Sequence, residues 1–104
     1  NSQYGIKFDD GIGSINNIIT YNDVNNNGQY GVYIPYKHHR ENNDNTFHHN
    51  NLIGNSLGNA YDECNNDWDD GVSEGNYWDD YVGPGPYEIP GGANKDNYPL
   101  ANPV

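Results

Sequence analysis

The sequence has little positive charge: four Lys and Arg residues stand against fifteen Asp and Glu residues, and the formal net charge is −11. Nucleic acids and anionic lipid surfaces are bound by a basic face, and four cations are too few to build one. An acidic surface suits divalent cations, or simply keeps a protein soluble. We therefore expect no nucleic acid and no anionic membrane among the partners.

Cysteine and long apolar runs are scarce as well. Cys64 is the single cysteine, so no internal disulfide can form, and an idle or buried thiol is expected. No apolar run has the length of a membrane span or the form of a signal-peptide core. The low content of aliphatic residues favours disorder, but ten tyrosines and two tryptophans argue for a folded chain with a thin core.

Residues 45–61 repeat the pattern of residues 17–33. A repeat with a period in the twenties indicates a solenoid, whose units bury their apolar faces only by stacking. Apolar and polar residues alternate within each tract, as they do in strands. We predict an all-β right-handed parallel β-helix of about three coils. The aligned pairs include Asn17 with Asn45, Ile19 with Phe47, Asn22 with Asn50, Val24 with Leu52 and Tyr33 with Tyr61.

Asparagine is the most frequent residue, and the repeat gives it a structural role. Neighbouring strands lie ~4.8 Å apart, so equivalent residues of successive coils stack. Asparagine tolerates the left-handed backbone conformation at corners, and its amide can hydrogen-bond to the same side chain one coil on. We expect two such ladders, Asn17 with Asn45 and Asn22 with Asn50.

The chain is predicted to be one domain, with coils in residues 1–64 and a cap and extended tail in residues 65–104. Residues 35–44 are expected to form a loop that projects from the second coil. Ile6 and Phe8 would lie on an open first rung, which further coils or another subunit would cover, and the start at Asn1 suggests a piece of a longer chain. The predicted cap residues are Trp68, Tyr77, Trp78 and Tyr81.

Four segments of the tail carry a family likeness: Asn66-Asp67-Trp68, Gly75-Asn76-Tyr77-Trp78-Asp79-Asp80-Tyr81, residues 86–92, and Asp96-Asn97-Tyr98-Pro99-Leu100. In order, they resemble the closing motifs of the NosD-type family of right-handed parallel β-helix proteins. This resemblance implies a periplasmic or cell-surface location. Relatives carry a longer Asp/Gly-rich insert where this chain has residues 82–85, which bears on any metal site built from that insert.

The acidic residues of the tail form the candidate metal site, with calcium as the expected ion. Calcium takes six to eight oxygen ligands, and carboxylates on a turn supply them. The alternative is a solvated turn whose Asp side chains accept hydrogen bonds from backbone N–H groups. The candidate ligands are Asp67, Asp69, Asp70, Asp79 and Asp80.

Two histidine pairs, His38-His39 and His48-His49, could bind a transition metal through neutral imidazoles. Strand alternation, however, sends adjacent side chains to opposite faces, so His48 and His49 are not expected to share a site. No Met or second Cys supports a soft-metal centre.

No catalytic residues are assigned, because a pair such as Asp23 and Asn51 on one face is a weak signal in so acidic a chain. We expect a structural module outside the cytoplasm, extracellular or at the cell surface, that stacks on further coils or on another subunit. The alternative is a carbohydrate-binding or carbohydrate-active β-helix, since outward tyrosines suit sugar rings. The alternative explanation of those tyrosines is structural, because tyrosine is enriched in strands. They include Tyr21, Tyr30, Tyr33, Tyr36 and Tyr61.

Overall fold

A computed structural model describes residues 2–8, 14–36 and 42–104 of the chain. These residues are all-β, as predicted, with ten short strands and no helix. Residues 37–41 of the predicted projecting loop, including His38 and His39, lie outside the described residues. The strands are β1 (Ile6–Lys7), β2 (Ile18–Thr20), β3 (Asp23–Asn25), β4 (Tyr30–Ile34), β5 (Thr46–His48), β6 (Asn51–Ile53), β7 (Gly58–Asp62), β8 (Tyr77–Trp78), β9 (Tyr87–Glu88) and β10 (Lys95–Asp96).

Eight of the strands form three small parallel sheets, in the orders β1-β4-β7, β2-β5 and β3-β6-β8. Each strand pairs with the equivalent strand of the neighbouring repeat. The register therefore places Ile19 opposite Phe47 and Val24 opposite Leu52. These pairings, like that of Tyr33 with Tyr61, confirm the alignment of the repeats.

The core is a thin apolar column between the sheets. Phe47 is its centre: its ring lies 5.8 Å from that of Phe8 and 4.1 Å from that of Trp68. Burying side chains of this size stabilises the fold by about 1.5–3 kcal/mol each. Ile19, which pairs with Phe47, is only partly buried and packs against this core. The buried apolar residues are Phe8, Val24, Val32, Ile34, Phe47, Leu52, Ala60, Trp68, Trp78 and Ile89.

The sequence suggested an extended tail, but β9 and β10 pair as an antiparallel hairpin. Tyr87 on β9 stacks on Trp78 with ring centroids 4.0 Å apart. Of the predicted cap residues, Trp68 and Trp78 are buried, while Tyr77 and Tyr81 are half-buried. The hairpin thus covers the last strand of the coils and closes this end of the core.

Candidate functional site: asparagine columns and the closed end

The corners of the coils share one backbone feature. A residue with left-handed backbone immediately precedes each of the six asparagines at positions 17, 22, 27, 45, 50 and 55. Asparagine and glycine adopt this conformation readily, whereas it costs most other residues roughly 1–2 kcal/mol. The sequence pointed to asparagine itself for this role, but tyrosine, aspartate and histidine fill it too. The left-handed residues are Asn16, Tyr21, Asn26, Asp44, His49 and Gly54, with φ between 57° and 68°.

Both asparagine pairs chosen from the sequence are hydrogen-bonded. Asn17 donates its backbone N–H and its Nδ2 to Oδ1 of Asn45, both at 2.9 Å. Asn22 makes the same two bonds to Oδ1 of Asn50, both at 3.1 Å. The arrangement recurs in a third pair, where Asn27 donates to Oδ1 of Asn55.

Two of these columns continue into the tail. Asn45 donates to Oδ1 of Asn66 at 2.9 Å, and Asn50 donates to Oδ1 of Asn76. The backbone N–H of Asn76 then donates to Oδ2 of Asp96 at 2.7 Å. These continuations are not visible in the sequence, because the spacing drops from 28 residues to 21, 26 and 20. Among the described residues, no buried side-chain nitrogen or oxygen lacks a hydrogen-bond partner.

Two fully buried carboxylates hold the tryptophans of the closed end. Asp62 accepts the indole N–H of Trp68 at 2.9 Å, and Asp96 accepts that of Trp78 at 2.8 Å. Burial raises the pKa of both carboxyl groups, because desolvation disfavours the charged form, while hydrogen bonds from the indoles and from backbone N–H groups act in the opposite direction. Nothing in the sequence marks either acid as a buried partner of tryptophan, although Asp96 opens one of the four segments that carry the family likeness.

The predicted calcium ligands Asp69 and Asp70 accept hydrogen bonds from the backbone. Asp70 accepts from the N–H groups of residues 72, 73 and 74 at 2.8–3.0 Å. These bonds lower the pKa of Asp70 to about 2, because they stabilise the charged form. Asp69 accepts from Gly71 and from Asn97, so both act as turn-capping groups.

The remaining three candidate ligands are spread over other contacts. Asp79 accepts from the backbone N–H of Gly54 at 2.8 Å, and Asp80 accepts from the hydroxyl of Tyr87. Both also accept from the side chain of Asn59, while Asp67 is exposed. Within residues 2–8, 14–36 and 42–104, no three His, Cys, Asp or Glu side chains are grouped so that they could hold a metal ion.

His48 and His49 were predicted to point to opposite faces, and this is wrong. Their Nδ1 atoms are 2.7 Å apart. His49 has a left-handed backbone, with φ of 57°, at the corner after β5, so the alternation of a regular strand ends between the two residues. Nε2 of His49 lies 2.7 Å from Oε2 of Glu74, and Tyr21 stacks on the imidazole.

Three of the outward tyrosines, Tyr30, Tyr33 and Tyr61, form a stack with Tyr4 along the sheet β1-β4-β7, whereas Tyr21 stacks on His49 instead. The ring centroids of Tyr4 and Tyr33 are 4.7 Å apart, and those of Tyr33 and Tyr61 are 5.5 Å apart, with interplanar angles of 23° and 22°. Tyr30 lies against both Tyr33 and Tyr61. Because the rings face one another, much of each ring face is covered by its neighbour.

Parallel strand pairing at offsets of 26 and 28 residues, asparagine columns at the corners and an aromatic closed end characterise this all-β chain. A family model described as "Periplasmic copper-binding protein (NosD)" matches residues 1–83. The chain belongs to this family, which confirms the family assignment made from the sequence; the match ends at residue 83, so the segments 86–92 and 96–100 lie outside it. Searches of curated proteins and of solved structures each returned no significant match. In the described part of the chain, no helix is both long and apolar enough to cross a membrane.

Proposed function

We propose that this chain is a structural module that closes one end of a right-handed parallel β-helix and stacks on further coils at its other end. Parallel pairing of equivalent strands and the three asparagine pairs at one 28-residue offset support the β-helix. The role is structural, without catalysis. The family's printed description supports a periplasmic location, and we extend this to the extracytoplasmic side in general.

The observation that carries the proposal is the pair of tryptophan–aspartate contacts at the closed end. Trp68 and Trp78 are only 1% and 2% exposed, and they cover the last coil. Their indole N–H groups bond to carboxylates that are themselves fully buried. Such a large aromatic cover, with every polar atom paired, is what a solenoid needs at a terminal unit.

Copper binding, which the family's description names, is not extended to this chain. The described histidines fit such a site poorly: the Nδ1 atoms of His48 and His49 face each other, and the second nitrogen of His49 is held by Glu74. No third ligand joins them within the part that the structure describes. Calcium at the acidic cluster remains a prediction from the sequence. So does carbohydrate binding, the alternative function.

Truncation tests the closing role. A chain that ends at Val82 lacks the β9–β10 hairpin and with it Tyr87, Ile89 and Asp96, so Trp78 loses its cover and its hydrogen-bond acceptor. We expect the shortened chain either to lose several degrees of melting temperature or to associate through the exposed end, because uncovered strand edges recruit other chains. Circular dichroism melts and analytical ultracentrifugation report both. A shortened chain that remains monomeric and keeps the melting temperature of the full chain contradicts the closing role.

A further inference from the structure

Two neighbouring coils carry tyrosines that face each other outside the core. The register of β4 and β7 places Tyr33 opposite Tyr61, and their rings stack with centroids 5.5 Å apart and an interplanar angle of 22°. Both side chains are half-buried, so part of each ring is open to solvent. Two phenol rings that are held together in this way are suitably placed to react with each other.

A covalent bond between coils would have a clear use in this chain. Cys64 is the single cysteine, so no disulfide can join two coils, and the apolar core is thin. Small domains outside the cytoplasm that have limited cores usually carry oxidative cross-links in the form of disulfides. Adjacent tyrosines are another pair of side chains that oxidation can join.

The surroundings of Tyr61 suit its oxidation. Desolvation and then the neighbouring carboxylate of Glu63 raise the pKa of the Tyr61 hydroxyl, so this ring is a neutral phenol at neutral pH. A neutral phenol that loses an electron also gives up its proton, and the carboxylate of Glu63 can accept that proton. Trp68 and Trp78, which are comparably easy to oxidise, are buried and therefore shielded from an oxidant in solution.

The other two rings of the stack are less suited. Tyr30 lies 5.2 Å from Tyr61 but is tilted by 36°, and its Cε1, one of its two coupling positions, packs close to the backbone of Gly58. The ammonium group of Lys7 lies 5.7 Å from the ring centroid of Tyr4, and a cation at that position opposes the loss of an electron from the ring. The pair in register is therefore the best placed.

We propose that Tyr33 and Tyr61 form a site of dityrosine cross-linking that joins β4 to β7. A one-electron oxidant, such as a haem peroxidase supplied with hydrogen peroxide, removes one electron and one phenolic proton from each ring. The two phenoxyl radicals couple through the carbons ortho to their oxygens, so one C–C bond forms. Each coupled carbon then loses its hydrogen, and each oxygen regains a proton. Overall, the peroxide takes up two electrons and two protons and gives two molecules of water. The proposal goes beyond the closing role and does not depend on it.

Photo-oxidation of the full chain with ruthenium tris-bipyridine and persulfate tests the site, because this small oxidant needs no docking surface. The reaction is run at micromolar concentration, and the monomeric product is isolated under denaturing conditions. We expect dityrosine fluorescence, a mass lower by two hydrogen atoms, and fragment spectra that join the peptides with Tyr33 and Tyr61. Tyr33→Phe and Tyr61→Phe should each lower the yield by about fivefold or more. Tyr21→Phe is the control, at an exposed tyrosine that stacks on His49, and should leave the yield within about twofold.

Unfolding in urea distinguishes the folded pair from chance encounters. The unfolded chain should give this product at least about fivefold less often, because the folded coils hold the two rings at a high effective concentration. The cross-linked chain should also melt at a higher temperature, since a bond between coils restricts the unfolded chain.

Three results would each overturn the proposal: no dityrosine in the monomeric product, a product that maps to other tyrosines, or equal yields in the folded and unfolded chain. If a phenylalanine variant does not fold, the mapping of the product on the unmodified chain still decides. A failure here is distinct from a failure of the closing role, since the truncation at Val82 leaves both tyrosines in place.

Discussion

Trp78 and Asp96 meet inside the closed end, where the indole Nε1–H donates to Oδ2 at 2.8 Å although the residues are 18 positions apart. The same carboxylate oxygen accepts the backbone N–H of Asn76, the next-to-last member of a column that begins at Asn22. One buried acid therefore joins the aromatic cover to the asparagine column. The stability of the cover and that of the column should be coupled.

Replacing the indole tests this contact. Trp78→Phe keeps an aromatic ring over Tyr87 but removes the N–H that Asp96 accepts. We expect the free energy of unfolding in urea to fall by about 1–3 kcal/mol, because a buried acceptor loses a donor, and the smaller ring adds a cavity. Tyr98→Phe, at a partly exposed tyrosine, is the control and should change it by less than about 0.5 kcal/mol. Equal effects would contradict the assignment.

The buried carboxyl group of Asp96 makes stability depend on pH. Burial raises its pKa in the folded protein above the ordinary 3.8, so ionisation is harder in the folded than in the unfolded chain. The stabilising effect of the protonated group is fully present below pH 3.8 and is lost as pH rises through the folded-state pKa. We expect the difference in unfolding free energy between the unmodified chain and Asp96→Asn to shrink over that range.

Urea unfolding at half-unit steps from pH 2 to pH 7 measures this difference. A difference that grows with pH would show instead that the N–H donors around Asp96 outweigh burial. For Asp70→Asn, we expect the difference in unfolding free energy to change with pH in the opposite direction. The pKa of Asp70 is lowered to about 2, so its contribution is present above pH 3.8 and is lost as pH falls toward 2.

The asparagine columns predict a large effect of an isosteric change. In Asn50→Asp, a carboxylate replaces the Nδ2 donor that now bonds to the carbonyls of Ile19 and His48 and to Oδ1 of Asn76. The carboxylate would face three acceptors without a proton to donate. We therefore expect the free energy of unfolding to fall by about 2–4 kcal/mol. Asn25→Asp adds the same charge at an exposed strand position, and its free energy of unfolding should stay within about 0.5 kcal/mol of that of the unmodified chain. Thermal and urea unfolding of both variants compare the two, and similar losses would mean that net charge, not the column, sets the cost.

The backbone of Gly75 lies so close to Asp96 that a side chain at this position would not fit. A Cβ at this position would overlap the carboxylate of Asp96, which cannot move without leaving Trp78. Gly75→Ala should therefore cost about 1–3 kcal/mol and shift the tryptophan fluorescence to longer wavelength as water reaches Trp78. Gly71→Ala, at φ of 78° with open space around the new Cβ, should strain only its own backbone. A fluorescence shift in this control would contradict the explanation.

Calcium removal tests the acidic cluster that the sequence suggested. Were calcium bound, a chelator would lower the melting temperature, because five carboxylates would lose the cation that offsets their repulsion. Asp69→Asn with Asp79→Asn should abolish that response. An unchanged melting temperature in chelator would rule out a structural calcium site. It would leave these acids with the backbone and side-chain hydrogen bonds that they already accept.

Much of the coil region could be predicted because repeated spacing is visible in a single sequence. Ile19 faces Phe47, and Asn22 bonds to Asn50, since parallel strands of equal repeats must stay in register. The closeness of His48 to His49 could not be predicted from strand periodicity. It depends on a left-handed backbone at a histidine, a conformation that is uncommon for any residue other than glycine even though histidine is enriched in it.

The sequence by itself determined the all-β class, the 28-residue offset and the residues that share a column, because equivalent segments that pair in parallel register place equivalent residues beside one another. Only the tertiary structure decided that, among the acids of the described residues, Asp62 and Asp96 are completely buried and that each holds a tryptophan. The contacts of Asp62 with Trp68 and of Asp96 with Trp78 span 6 and 18 residues and follow no period. They form only once the tail has folded back over the last coil and removed these carboxylates from water.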